Sequence, residues 1–82
     1  MLEVKPSRLG VNDDFVIISK WKVKKEDIVK RGQIIAELET SKAVYEIEAE
    51  KDGIIKILVE EDEEVSFDTV IAVIYEGDVW KE

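Results

Sequence analysis

The chain overlays on itself. Sliding the sequence by 36 residues, so that position 17 falls on 53, sets IISKWKVKKEDIVKRGQIIAELE (17–39) over GIIKILVEEDEEVSFDTVIAVIY (53–75). Ile18 then meets Ile54, Lys20 meets Lys56, Val23 meets Val59, Val29 meets Val65, Ile35 meets Ile71 and Ala36 meets Ala72. Trp21 over Ile57, Glu26 over Asp62, Ile34 over Val70 and Leu38 over Ile74 keep their character. A repeat of this kind predicts two structurally equivalent halves related by a pseudo-twofold axis. Register is part of the argument, because a slip of one residue turns every side chain of a strand to the other face, and here the alternation stays in phase throughout. Each half is expected to supply a long strand, an acidic turn, a brief strand around Val29 or Val65, and another long strand. One half alone has only one apolar side to bury, so the two are expected to pack face to face over Trp21, Val23, Leu38, Ile57, Val59 and Ile74.

The spacing of apolar residues has period two. Phe15, Ile17, Trp21 and Val23 share one register while Lys20, Lys22 and Lys24 take the other, which predicts a half-buried strand with Ser19 as a mild interruption. Ile34, Ala36 and Leu38 alternate with Glu37 and Glu39, and Tyr45, Ile47 and Ala49 alternate with Glu46, Glu48 and Glu50. The runs IIKILV (54–59) and VIAVIY (70–75) are apolar on both faces, as expected of strands nearer the centre of a sheet. No window holds the spacing of an amphipathic helix, and β-branched residues dominate the apolar set, so the chain is expected to be all-β. Turn signals at Gly10 with Asn12 and Asp13, at KRGQ, at KDG, at SFDT and at EGD separate short strands in the manner of a sandwich or barrel.

Eighty-two residues make one small domain with a modest core. Cysteine and histidine are both absent, which removes disulfides, thiolate and imidazole metal sites, and the commonest side chains of nucleophilic and acid–base catalysis, so an enzyme is disfavoured. A formal net charge of −8 repels nucleic acid and anionic lipid, and favours a basic protein partner. MLEVKPSRLG contains no apolar run of signal-peptide length, and nothing approaches the roughly 20 apolar residues of a membrane span, so the cytoplasm is the expected compartment.

The alternation pauses at Thr40-Ser41-Lys42-Ala43, small and polar residues that suit a tight hairpin turn, which would leave the Lys42 ammonium in solvent at its tip. A lone surface lysine is usually a solubility device, and spacing alone does not lift Lys42 above that reading. Other chemistries fare worse. The acidic run at 60–64 lacks the desolvating neighbours that an acid–base pair needs, EEDEE lacks the spacing and turn glycine of a calcium loop, and the glycines are too isolated to cradle phosphate.

The run ELETSKAVYEIEAEKDGIIKILVEEDEEV, with KWKVKKEDIVKRGQIIAELE before it and VIAVIYE after it, resembles the biotinyl/lipoyl domain family, specifically its lipoyl members, over about residues 4–76. The resemblance implies a flattened barrel or sandwich of two four-stranded antiparallel sheets with pseudo-twofold symmetry. It implies one domain over 1–82, with 77–82 as a tail or the start of a linker. In the family an Asp-Lys-Ala lysine at the tip of an exposed hairpin receives lipoate through an amide, and Lys42 in Ser41-Lys42-Ala43 matches it. Glu39 matches the glutamate read by a lipoyl ligase or transferase. The loop Val11, Asn12, Asp13 and Asp14 matches one that lies near the lysine and helps dehydrogenases recognise their carrier. The implied function is a monomeric swinging-arm carrier, without activity of its own, serving the dehydrogenase, acyltransferase and dihydrolipoamide dehydrogenase components of a 2-oxoacid dehydrogenase complex. A biotin carrier shares the hairpin lysine but flanks it with methionines, where Ser41 and Ala43 stand here. An unmodified β-barrel interaction module is the remaining alternative.

The sequence departs from the family pattern at four places. Ser41 replaces the aspartate before the lysine, and Phe15-Val16 replaces a Glu-Gly pair. Glu26 and Asp62 stand where the two symmetry-related turns carry glycine; a change in both halves alike implies turns that have adjusted their backbone. Trp80, in the terminal GDVWKE, is expected to cover the barrel end or to meet a neighbouring domain.

Overall fold

A computed structural model describes residues 1–9 and 14–76. The predicted strands form and, together with an N-terminal strand over Leu2–Val4 that the alternation did not mark, assemble as two four-stranded antiparallel sheets facing each other across one core. In chain order they are β1 (Leu2–Val4), β2 (Phe15–Trp21), β3 (Ile28–Val29), β4 (Ile34–Glu39), β5 (Val44–Glu48), β6 (Gly53–Ile57), β7 (Glu64–Ser66) and β8 (Ala72–Tyr75), with a short 3-10 turn at Pro6–Leu9. One sheet has the order β1-β8-β6-β3 and the other β5-β4-β2-β7.

The two orders superimpose under the sequence repeat, with β2 matching β6, β3 matching β7 and β4 matching β8. The short strands, however, change sides. β3, from the first half, pairs with β6 of the second, and β7 pairs with β2 of the first. Hydrogen bonds at the acidic turns repeat the exchange, since Glu26 N–H donates to the Ile55 carbonyl at 2.8 Å and Asp62 N–H to the Ile18 carbonyl at 2.7 Å. The halves are thus interlocked as well as stacked.

The core holds Val23, Leu38, Val59 and Ile74 as anticipated, with Trp21 and Ile57 packed at its margin and the Trp21 indole N–H donating to the Val59 carbonyl at 3.0 Å. The first part of β2 overturns its expected register. Val16 and Ile18 are buried while Phe15 and Ile17 face outward. A bulge between Ile18 and Lys20 is the cause: the extra residue, Ser19, spends its hydroxyl on the Glu37 carbonyl at 3.1 Å and returns Trp21 and Val23 to the inner side. The bulge also breaks the phase of the overlay. Ile18 N–H bonds the Glu63 carbonyl just as Ile55 N–H bonds the Asp27 carbonyl, so Ile18 is equivalent to Ile55, and the 36-residue match holds only from Lys20 onward. A second shift, between Ile34 and Ala36 on β4, buries Ile35 beside Ala36 and leaves Ile34 at the margin.

The turns at Glu26 and Asp62 have not adjusted. Their φ angles are 66° and 69°, and N–H of Asp27 and Glu63 bond the carbonyls of Lys24 and Glu60, the arrangement of a type II turn whose third residue favours glycine. A left-handed conformation costs an L-residue about 1–2 kcal/mol, less for aspartate than for glutamate. Added hydrogen bonds offset the cost: the Asp27 carboxylate accepts from Lys24 N–H at 2.8 Å and the Glu63 carboxylate from Glu60 N–H at 3.0 Å. Glycine is required at Gly53, where a Cβ would collide with the Tyr75 carbonyl of the adjoining β8.

Candidate functional site: an exposed lysine on a locked hairpin

β4 and β5 pair from Ile34↔Glu48 out to Glu39↔Val44, and the four residues 40–43 reverse the chain. Leu38 and Ile47 anchor the hairpin in the core, which is why the alternating sequence forms these two arms with its glutamates outward. Thr40 closes the turn. Its N–H donates to the Ala43 carbonyl at 2.9 Å, while its Oγ1 accepts from the N–H groups of Lys42 at 3.1 Å and Ala43 at 3.2 Å and donates to the Ala43 carbonyl at 3.3 Å. A hydroxyl that folds back on its own loop in this way fixes the backbone on either side of Lys42.

Ser41, Lys42 and Ala43 are all exposed, and the Lys42 ammonium has no salt-bridge or hydrogen-bond partner among the described residues. An amide formed there would remove the charge without opening the core or breaking an ion pair among the described residues. Glu39 ends β4, exposed, in register with Val44 on one side and Ile17 on the other. Glu37, one rung inward, is instead engaged by Lys22 at 3.1 Å. Glu39 and the hairpin therefore share one outer face.

Asp14 lies at the same end of the sheet, immediately before Phe15, and its carbonyl accepts from Phe67 N–H at 3.1 Å. Val11, Asn12 and Asp13 lie outside the described residues, as does Trp80. The role of Thr40 was missing from the sequence reading; its only signal was a hydroxyl residue at the first loop position, two before the lysine. Two surface clefts, one lined by Arg31, Gly32 and Glu48 and the other by Ile28, Lys51 and Asp52, lie at the opposite end of the hairpin arms, away from Lys42.

A two-sheet body that holds an accessible lysine amine at the tip of a locked hairpin turn has the makings of a carrier module, which presents an attached group and leaves the chemistry to other proteins. The Biotin_lipoyl family model, described as "Biotin-requiring enzyme", matches residues 3–74. The dihydrolipoyllysine-residue acetyltransferase component of the pyruvate dehydrogenase complex of Zymomonas mobilis is 46% identical over 78 residues, covering 93% of this chain and 18% of that protein. The mitochondrial pyruvate dehydrogenase protein X component of Mus musculus is 40% identical over 68 residues, covering 79% of this chain and 14% of that protein. The solution structure of the lipoyl domain of the 2-oxoglutarate dehydrogenase complex from Azotobacter vinelandii superposes with a TM-score of 0.77 at 28% identity, over 94% of this chain and 99% of that one. The chain belongs to the biotinyl/lipoyl domain family, as a lipoyl-type carrier domain. It spans less than a fifth of the length of these two pyruvate dehydrogenase relatives.

Proposed function

We propose that Lys42 takes lipoate in amide linkage and that the domain carries acyl groups and reducing equivalents between the active sites of a 2-oxoacid dehydrogenase complex, of the pyruvate dehydrogenase type. The observation that carries this reading is the exposed Lys42 at the tip of a hairpin turn braced by Thr40. Lipoate, when attached, supplies thiol–disulfide exchange and acyl carriage through its own sulfurs, which suits a chain without cysteine or histidine. The protein's part is to hold the amine clear of the barrel and to keep the tethered group at high effective concentration near each partner.

The attaching enzyme, a lipoyl ligase or transferase, reads Glu39 on the outer face below the tip together with Ser41 and Ala43. The dehydrogenase component approaches the same end of the sheet, where Asp14 stands. Dehydrogenase, acyltransferase and dihydrolipoamide dehydrogenase components are the expected partners, and the names of the pyruvate dehydrogenase relatives support that choice.

The test is to co-express the domain with a lipoyl ligase and lipoate, and separately with a biotin ligase and biotin, and to weigh the intact protein. A single lipoyl mass gain that disappears in Lys42→Ala is expected. A gain that survives Lys42→Ala would move the site elsewhere, a biotin gain would reassign the cofactor, and no gain in either arm would leave an unmodified interaction module.

A further inference from the structure

Three large apolar side chains stand exposed on the outer face of the hairpin sheet. Val44, Glu39, Ile17 and Glu64 form one row across β5, β4, β2 and β7, each in register with the next. Phe15 faces the same way as Ile17, two residues nearer the hairpin end of β2, opposite Ser66. Phe15 is 57% exposed, Ile17 36% and Val44 59%. Isolated surface apolar residues are ordinary, but these gather around the base of one lysine-bearing turn. The bulge at Ser19 creates the arrangement, because burying Val16 and Ile18 leaves Phe15 and Ile17 outside.

We propose that Phe15, Ile17 and Val44 form a resting site for the lipoyl chain attached to Lys42, so that the arm lies along the outer sheet face between visits to partners. This rests on the lipoylation of Lys42. Three observations select that occupant. First, the strip begins at the attachment hairpin, Val44 being the first residue of β5 and two residues after Lys42. From β5 to β2 is two strand spacings, about 10 Å, a distance that a lysine stem joined to a medium-length acyl chain can cover. Second, the occupant is tethered, so contacts too weak to hold a free ligand suffice. Third, Glu39 and Glu64 stand within the row and disfavour an anionic ligand, whereas an amide-linked acyl chain carries no charge and leaves both carboxylates in water. In this position the dithiolane is shielded on one side by the Phe15 ring and the Ile17 side chain.

The experiment compares unmodified and lipoylated domain, with loading verified by intact mass, in the wild type, in a Phe15→Glu/Ile17→Thr double variant, and in an Ile28→Thr control. Ile28 is 74% exposed on β3 of the other sheet. Expected in the loaded wild type and control are NOEs between arm protons and the Phe15 ring and the Ile17 and Val44 methyls. The double variant, equally loaded and with its other amide shifts retained, should lose them, and a phosphine should reduce its dithiolane several-fold faster. A fully loaded wild type without arm-to-strip NOEs overturns the resting site alone. NOEs and reduction rates unchanged in the double variant overturn the assigned residues. Strip signals that respond only when a dehydrogenase component is added would give the surface to a protein partner instead. Absence of any mass gain overturns the lipoylation of Lys42 and the resting site together.

Discussion

Thr40 shows what a single side chain contributes at this site. Its hydroxyl accepts two backbone N–H groups and donates to one carbonyl within a loop whose next three residues, Ser41, Lys42 and Ala43, are all exposed. Thr40→Val keeps the shape and removes those bonds. At about 1 kcal/mol net for such hydrogen bonding, the domain's thermal midpoint should fall by roughly 4–8 °C, as read by circular dichroism. Lipoylation should slow through a higher KM for the domain, because Lys42 is no longer presented in one conformation; an unchanged KM would deny Thr40 its bracing role. Lys42, Glu39 and Ala43 stand out in the sequence because they match a motif residue by residue, and the structure puts all three in exposed positions at the end of the hairpin. Thr40 does not, since its bonds run to its own loop and depend on backbone geometry that no spacing rule specifies. Glu26 and Asp62 were legible as departures from glycine, but their outcome was misjudged: the turns keep φ above +60° and are held by neighbouring carboxylates instead of relaxing.

At the level of elements, β2 is where pattern and structure part. Alternation favoured Phe15 and Ile17 as inward residues, and one inserted residue, Ser19, reverses that assignment without leaving a visible mark, because both registers before the bulge are apolar. A strand whose two faces look alike cannot announce its own register. Hydrogen bonding to β7 and β4 decides it, and it buries Val16 at 2% exposure. The consequence is measurable by chemical denaturation. Val16→Ala should cost about 2 kcal/mol, in the range for a truncated core aliphatic, while Phe15→Ala should change stability by less than about 0.5 kcal/mol. Equal losses at the two positions would restore the register first expected. β5 carried no such ambiguity, since glutamates at Glu46 and Glu48 fix its outer face, and its hairpin formed as anticipated.

For the molecule as a whole, the repeat disclosed two equivalent halves and their pseudo-twofold relation, since each strand of one half has its counterpart in the other, while the two four-stranded sheets were legible through the family resemblance. What it did not disclose is the exchange of short strands, because strand pairing across halves leaves no trace in either half's own sequence. That exchange means neither half is a folding unit. A chain cut in the turn at 50–52 gives a first piece whose β1 and β3 have lost β8 and β6, and a second whose β7 has lost β2. Separately, the pieces should show no cooperative thermal transition by circular dichroism; mixed in equal amounts they should recover one, and a piece that melts cooperatively alone would contradict the interlock. Lys42 and its whole hairpin lie in the first piece, which cannot hold them in shape unaided. Modification of that piece would then wait on its complement, so that the attachment of one small group becomes a chemical record of two fragments having found each other.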